Sequence, residues 1–477
     1  MNRLAAVNRL AICALAACAD VGSGAPAVDS GTLDAGVPSV GLDAQRSSDA
    51  EPSSDAAASR DAAAGPRQIN GWNTSYYYLE DGRVSEVQLS LAGLAIEVLV
   101  PDGDDYRIYP QRTSRSAHFM ISDVPAGPVL LHVGDTYVMG SASFVEIASH
   151  HPGRPNAALA SPATRFRFDL SGLSAWTESD VLVLSAHDVG LTSVVLTPTI
   201  ALGATSLSWV ARGVSRHRLD GDSLTVRQLA RKVTAGGLEY LTAARALTLR
   251  ANTISGEVTV RGELQASPQT ALELDIEASD RPRRISIAAR LGSSRAGAYA
   301  EFPEILRVDV PAALAPGRAS FELASAQGGD PGSRVLSVRS TWDVTLTSSA
   351  GPYTVPAWTT DFELLAPEAL SGPHPIRERL RPVRDLAFDG TKLSWSPPEL
   401  GQVTHYRVEL FERRGDESRP VARIIIPDEG FVFPPDLLRP GGVFFARVVA
   451  VASPRSTPTR PLERAYPESE AAAVIGL

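Results

Sequence analysis

The chain has 477 residues and a mass of about 50.5 kDa, too long for one ordinary domain and enough for two to four. Hydrophobic residues make up 44% and charged residues 21%, which supplies real cores and excludes a chain disordered throughout. The formal charge is −9, no basic patch is dense enough for nucleic acid, and no apolar run approaches the ~18 residues of a spanning helix. A nucleic-acid partner and a polytopic membrane protein are therefore excluded. Only Lys232 and Lys392 are lysines, a compositional bias toward arginine with no mechanism attached.

The first residues read as an address. Arg3 and Arg9 give a positive start, and Leu10 to Ala17 form a short apolar run, the pattern of a secretory signal at residues 1–17. The run ends Leu15-Ala16-Ala17-Cys18, which resembles a bacterial lipobox. That resemblance implies cleavage before Cys18, acylation of its thiol, a membrane partner reached through the lipid, and location in the bacterial envelope. With Ala19 next and Asp20 one place later, it points to the outer membrane. The alternative is an ordinary signal peptide cut near Ala19. The only cysteines are Cys13 and Cys18, so a mature chain beginning at Cys18 forms no internal disulfide and is held by its cores alone.

Residues 18–68 read as the lipidated Cys followed by a disordered Ala/Ser/Asp-rich linker. From 19 to 66 there is no aromatic residue, and eight acidic residues stand against two arginines. Such a stretch cannot bury enough apolar surface to offset its chain entropy, and its self-repulsion favours extension.

From Trp72 onward the dominant period is two, the mark of half-buried strands. It is seen at Val87-Leu89-Leu91, Ile96-Val98-Val100, Val258-Val260 and Leu272-Leu274-Ile276. It returns at Ile285-Ile287-Ala289-Leu291, Leu306-Val308-Val310, Trp342-Val344-Leu346 and Tyr406-Val408-Leu410. Asp-Gly turn signals at 81–82, 102–103, 220–221 and 389–390 separate such runs. The expectation is an all-β, multi-domain protein of antiparallel β-sandwiches, immunoglobulin-like or of fibronectin type III kind. Val226, Leu229, Ala230 and Val233 depart from the period and predict a short helix. Pro-rich breaks divide the chain into a sandwich at 69–150, a β-rich region of one or two domains at 160–366, a module at 380–457 and a tail at 458–477.

The 380–457 module resembles fibronectin type III. The residues that carry this are Leu393-Ser394-Trp395, Ser396-Pro397-Pro398, Tyr406 to Leu410, Leu438 to Phe444 and Arg447 to Val451. The resemblance implies that Trp395 fills the core between two sheets and that the Leu-x-Pro-Gly turn leads into the next strand. Phe444 stands where the family has its corner Tyr, so that corner is held by packing alone. More weakly, Gly82-x-Val84, the strand to Leu91 and Phe119 to Val129 are similar to carboxypeptidase-regulatory-like, prealbumin-type sandwiches. Both families are mostly non-catalytic.

Four groups carry candidate chemistry. Gly221-Asp222-Ser223-Leu224 looks like the nucleophile block of GDSL hydrolases, but the residues before it are polar and no His lies three places after an Asp. No catalytic residue is assigned. Arg414-Gly415-Asp416 is the integrin tripeptide, read here as a polar hairpin tip. Asp102, Asp104 and Asp105 are weak metal candidates, short of the six to eight oxygens calcium takes. Trp72, Tyr76, Tyr77 and Tyr78 are the densest aromatic group, able to stack on sugar rings if exposed and a core strand if buried. No cofactor motif is present. The function expected is a non-catalytic binding or display scaffold for a polysaccharide, an envelope component or a protein. The alternatives are a secreted hydrolase with its site in 160–366 and a structural subunit of a surface assembly.

Overall fold

The computed structural model describes residues 65–477 apart from 80–82, 90, 92–95, 103–104, 111–117, 135, 156–158, 277–283, 293–303, 311–316, 325–332, 349–350, 367–371, 435–436 and 457–464. The signal, Cys18, the linker as far as 64 and Asp104 lie outside the described residues. Among the described residues every regular element is a strand except one 3-10 turn at His187–Val189. The all-β expectation holds.

The first eight strands are β1 (Arg67–Tyr78), β2 (Val84–Gln88), β3 (Ile96–Asp102), β4 (Asp105–Pro110), β5 (His118–Val124), β6 (Val129–Val133), β7 (Thr136–Gly140) and β8 (Phe144–Pro152). β1 starts two residues before 69, the expected start of this module. It pairs antiparallel with β5 and β2 and parallel with β8. The second layer is β4-β3-β6-β7. At the start of β1 the odd-numbered residues face inward: Ile69 joins Val98, Phe119, Ile121, Val124 and Leu131 in one core. Gly71 faces the same way, where a Cβ would strike the Phe119 ring and the Val145 carbonyl, so only glycine fits there.

The middle region holds β9 (Leu159–Ser171), β10 (Val181–Ala186), β11 (Leu191–Leu196), β12 (Leu207–His217), β13 (Asp220–Val233), β14 (Glu239–Asn252), β15 (Glu257–Glu263) and β16 (Gln265–Ala266). It continues through β17 (Gln269–Ile276), β18 (Arg284–Gly292), β19 (Glu304–Val310), β20 (Gly317–Ala324), β21 (Ser333–Ser348), β22 (Gly351–Leu365) and β23 (His374–Ile376). Two cores lie along it. One gathers Phe166, Phe168, Leu184, Leu224, Val226, Val258 and Val260. The other gathers Leu229, Tyr240, Leu272, Leu274, Ile287, Leu306, Val308 and Phe321. The long strands β13 and β14 run through both.

That sharing corrects the expected helix. Val226, Leu229, Ala230 and Val233 lie in β13, whose register against β14 shifts between Gln228 and Leu229. The extra residue is Ala244 of β14, and β13 itself keeps alternating through the shift, with a different core on each of its faces. Leu224 and Val226 therefore point into one core and Leu229 into the other, and the sum imitates helical spacing. Gln228 at the shift is 0% exposed. Its amide donates to the Ser174 carbonyl (3.1 Å) and Asp180 Oδ2 (2.8 Å), and its oxygen accepts from Ser174 N (2.7 Å), so the buried polar group is satisfied.

The last strands are β24 (Arg384–Phe388), β25 (Lys392–Ser396), β26 (His405–Arg414), β27 (Glu417–Ile426), β28 (Gly430–Val432), β29 (Val443–Ala452) and β30 (Glu468–Gly476). β24-β25-β28 form one sheet and β27-β26-β29-β30 the other. Between them lie Trp395, Tyr406, Val408, Leu410, Phe431, Phe444 and Val448. Residues 458–477, expected as a tail, hold β30, whose Ala471 and Ala472 are buried. The edges of β30 pair with β29 and β22, and its two faces bury Ala471 and Ala472 in different cores.

Separate modules are thus joined by main-chain pairing. β22 meets β30 over Trp358–Phe362, and β7 meets β27 in parallel, Thr136–Val138 against Arg423–Ile425. Among the described residues the result is a sheet of 17 strands. Besides the antiparallel ladders expected, β1–β8, β9–β15, β17–β23 and β7–β27 pair in parallel. Leu99, Leu130 and Tyr137 of the first module also pack into the core around Trp395.

Candidate functional site

The aromatic group of β1 sits in a ladder with β8. Parallel register sets Trp72 beside Glu146, Ser75 beside Ser149, Tyr76 beside His150 and Tyr77 beside His151. Successive residues of a strand point to opposite faces, so the four aromatics divide. Tyr76 and Tyr78 share a face: the Tyr76 hydroxyl donates to Glu146, and the Tyr78 hydroxyl bonds His150 Nδ1 at 2.8 Å. Tyr78 is buried in the middle-region core, and Tyr76 packs against it. Tyr77 turns the other way and stacks on His151 with centroids 5.1 Å apart. Trp72 is half-buried and rests on His118, centroids 4.7 Å apart. The structure therefore makes Tyr78 core and leaves Trp72 and Tyr77 partly accessible. Alternation sets Trp72 on the face of Tyr76 and Tyr78 and turns Tyr77 to the other, so parity by itself does not tell the buried Tyr78 from the half-buried Trp72.

Sequence reasoning missed what surrounds Tyr78. Its carbonyl accepts from Gly153 N (2.8 Å) and bonds His187 Nε2 (3.0 Å), while Arg154 N donates to the Asp188 carbonyl (2.8 Å). Arg154 pairs with Asp222 Oδ1 and, at 3.2 Å, Oδ2. Gly153 and Gly190 are both left-handed and closely apposed; a Cβ on Gly153 would lie 2.9 Å from the carbonyl oxygens of His187 and Asp188. This is a seam between the first module and the start of the middle region. Burial pushes His187 below the usual imidazole range, against the Asp188 carboxylate and the Tyr78 carbonyl, which pull it up. Burial likewise lowers His217 and His151. Burial tends to raise Asp222, but its bonds from Arg154 and Asp220 N prevail and hold it below the ordinary carboxylate range. These histidines stand far apart in the chain and leave no local spacing signal, so only the fold brings them together.

The Gly221-Asp222-Ser223-Leu224 block opens β13. Asp222 is bound to Arg154, and Ser223 stands opposite Arg250 on β14. Both side chains of the would-be hydrolase block thus sit in strand pairing. Asp102 and Asp105 oppose each other at the exposed β3–β4 tip, with Asp105 Oδ1 accepting from Tyr106 N (2.7 Å). Among the described residues no three His, Cys, Asp or Glu side chains gather as a metal site. Arg414-Gly415-Asp416 caps the β26–β27 hairpin. Gly415 (φ 62°) takes a position that requires a left-handed residue. Asp416 is fully exposed, and Arg414 is held by Glu412 at 2.7 Å.

A second polar cluster ties the last strands to one another. Arg407 on β26 reaches Glu470 of β30 (2.9 and 3.3 Å) and Glu409 (2.9 Å), and Arg447 of β29 reaches Glu409 (3.1 Å). Burial alone would lower the Arg407 pKa, but the two carboxylates outweigh it and raise it. Nearby, Asp361 of β22 accepts from the Ser469 hydroxyl of β30. Burial pushes Asp361 up to about 6, although Ser469 and Arg379 pull it down. Leu336, Val338, Glu363, Ile376 and Arg379 border Asp361 in a shallow hollow.

No family model and no curated protein matches the chain. Among solved structures it is similar to a streptococcal ancillary pilin, at 11% identity over 61% of this chain and 95% of that one, with a TM-score of 0.12. It is similar to titin domains at 10% identity over 81% and 93%, TM-score 0.12. It is also similar to E. coli alpha-2-macroglobulin in its native conformation, at 11% identity over 87% and 28%, TM-score 0.12. Likenesses at this score carry no argument, so the β-sandwich architecture stands on the chain's own strand pairing and cores.

Proposed function

We propose that this chain is a non-catalytic binding and display scaffold of a bacterial envelope. Cys18 acyl chains hold it in the outer membrane, and tandem β-sandwich modules face a polysaccharide, an envelope component or another protein. The observation that carries this reading is the joining of modules by strand pairing, β7 to β27 and β22 to β30, where ordinary domains meet through linkers. A body joined this way keeps its loops and edges at fixed separations, which suits a partner that touches several modules.

The C-terminal unit is of fibronectin type III kind on this reading. Its support is the pair of sheets β24-β25-β28 and β27-β26-β29-β30 with Trp395 between them. The turn at Gly441 (φ 78°) before β29 adds to it. The first module is of prealbumin type, supported by the Pro125-Ala126-Gly127 turn that joins β5 to β6.

The test is to immobilise the full chain and pass envelope polysaccharide and protein fractions over it. Retention of a component that is recovered chemically unchanged supports the scaffold. A component released in cleaved form would replace it with the hydrolase reading.

A further inference from the structure

We propose that the seam between β1–β8 and the His187–Val189 turn is an acid-released latch, closed while His187 is neutral and opened when it takes a second proton. This goes beyond the scaffold reading and holds whatever the scaffold binds.

The geometry comes first. His187 is 3% exposed and spans the seam through its Nε2 bond to the Tyr78 carbonyl. A carbonyl accepts, so Nε2 carries the proton and in the neutral ring Nδ1 carries none. Acid adds the second proton at Nδ1, placing a charge where water barely reaches. Around it, β1 brings Tyr78. Of the ionisable groups on β8, His150 and His151 are the nearest in the chain to the seam, Glu146 is engaged by Tyr76, and Arg154 lies just beyond the strand. β12 brings His217, β13 brings Asp220, Asp222 and Arg227, and β11 brings no ionisable group. Asp188 lies beside His187, and its carboxylate favours the imidazolium without overcoming burial. Asp222 is engaged by Arg154, and Tyr78 holds His150. His217 sits against Gly190, its Cε1 3.5 Å from where a Cβ would be, and burial disfavours its charge too.

The sign follows by linkage. The closed state holds His187 below its ordinary value of 6.5. Above that value neither state is protonated and closure is unaffected. As pH falls, the opened state takes up a proton that the closed state refuses, and closure weakens down through the depressed value. Asp361, at the β22–β30 junction, works in the opposite direction. Its raised value means that acid strengthens that contact. The β7–β27 pairing is made by main-chain groups, which do not titrate. Acid therefore opens one seam while the other joints hold the body together.

The test uses the full chain carrying Cys13→Ser and Cys18→Ser, with dyes on Val84→Cys and Val195→Cys, exposed positions on the two sides of the seam. Energy transfer is expected to fall reversibly between about pH 7.5 and about pH 5, with the far-ultraviolet β signal unchanged. His187→Gln keeps a donor for the Tyr78 carbonyl but cannot charge, so its transfer stays level. Asp188→Asn removes a group that favours the imidazolium in the closed state, so the closed state refuses the proton more strongly and the midpoint moves to higher pH. Transfer that is level in the parent chain overturns the latch, as does a midpoint unmoved by Asp188→Asn. The Asp188 arm decides the matter on its own if His187→Gln does not fold.

Discussion

Replacing Trp395 by Ala tests the architecture of the C-terminal unit most directly. The indole is 6% exposed and meets the Tyr406 ring edge-on, centroids 5.2 Å apart, within a core that includes Val408, Leu410, Phe431 and Phe444. A buried Trp removes ~150–250 Å² from water, worth about 4–6 kcal/mol at ~25 cal/mol per Å². Ala keeps roughly 1 kcal/mol of that, and the surrounding strands close only part of the cavity, so the expected cost is about 3–5 kcal/mol. The chain has several cores, so one global transition is the wrong observable. Amide exchange read by mass spectrometry on the full chain resolves the units. Peptides from β26 and β29 should exchange on the order of a hundredfold faster or more. Peptides of β3 and β6 should respond less, through Leu99 and Leu130, which share this core. The core around Phe166 and Val258 should not respond. Unchanged protection in β26 and β29 would mean that Trp395 does not hold the two sheets together.

Glu470→Gln leaves Arg407 buried with one carboxylate and should cost about 3 kcal/mol in denaturant unfolding, whereas Arg407→Met with Glu470→Leu should cost much less. Ser223→Ala should shift stability by less than about 1 kcal/mol; esterase turnover that depends on Ser223 would contradict its place in the β13–β14 pairing. In the parent chain the Asp361 contact gains strength as pH falls from about 6 toward 3.8, its ordinary value, and loses it as pH rises through about 6. Asp361→Asn should therefore flatten the difference in melting temperature between pH ~4 and pH ~7. Cys18→Ser should abolish palmitate labelling of the chain in cells, and labelling that persists would remove the proposed anchor.

Much of the fold was legible because one-sided burial writes itself into alternation. Leu272-Leu274-Ile276, Leu306-Val308-Val310 and Tyr406-Val408-Leu410 all point into cores. The reading failed where strands serve two environments. β13 buries one face in each of two cores, so its period looked helical. β30 packs Ala471 into the core around Trp395 and Ala472 against Trp358 on its other face, so it lacks a one-sided alternation and looked like a tail. The joints between modules were illegible for another reason: pairing such as β7–β27 is made by main-chain groups, which every sequence offers equally. Of the candidate site, the aromatic run was visible. The histidine seam was not, since Tyr78, His150, His187 and His217 meet only after folding.

The ladder of β1 with β8 also has a mechanical side. Tension arriving from the N-terminal side enters the described body at Arg67 and runs along β1. The strand is gripped by β8 in continuous register from Asn70 to Tyr78, and by β5 and β2 on its other edge. A pull along the strand loads these bonds together, in shear, so they cannot break in succession as in an unzipping hairpin. The end nearest the proposed tether is thus the region of the first module best placed to resist drag, and rupture under load should begin elsewhere in the chain.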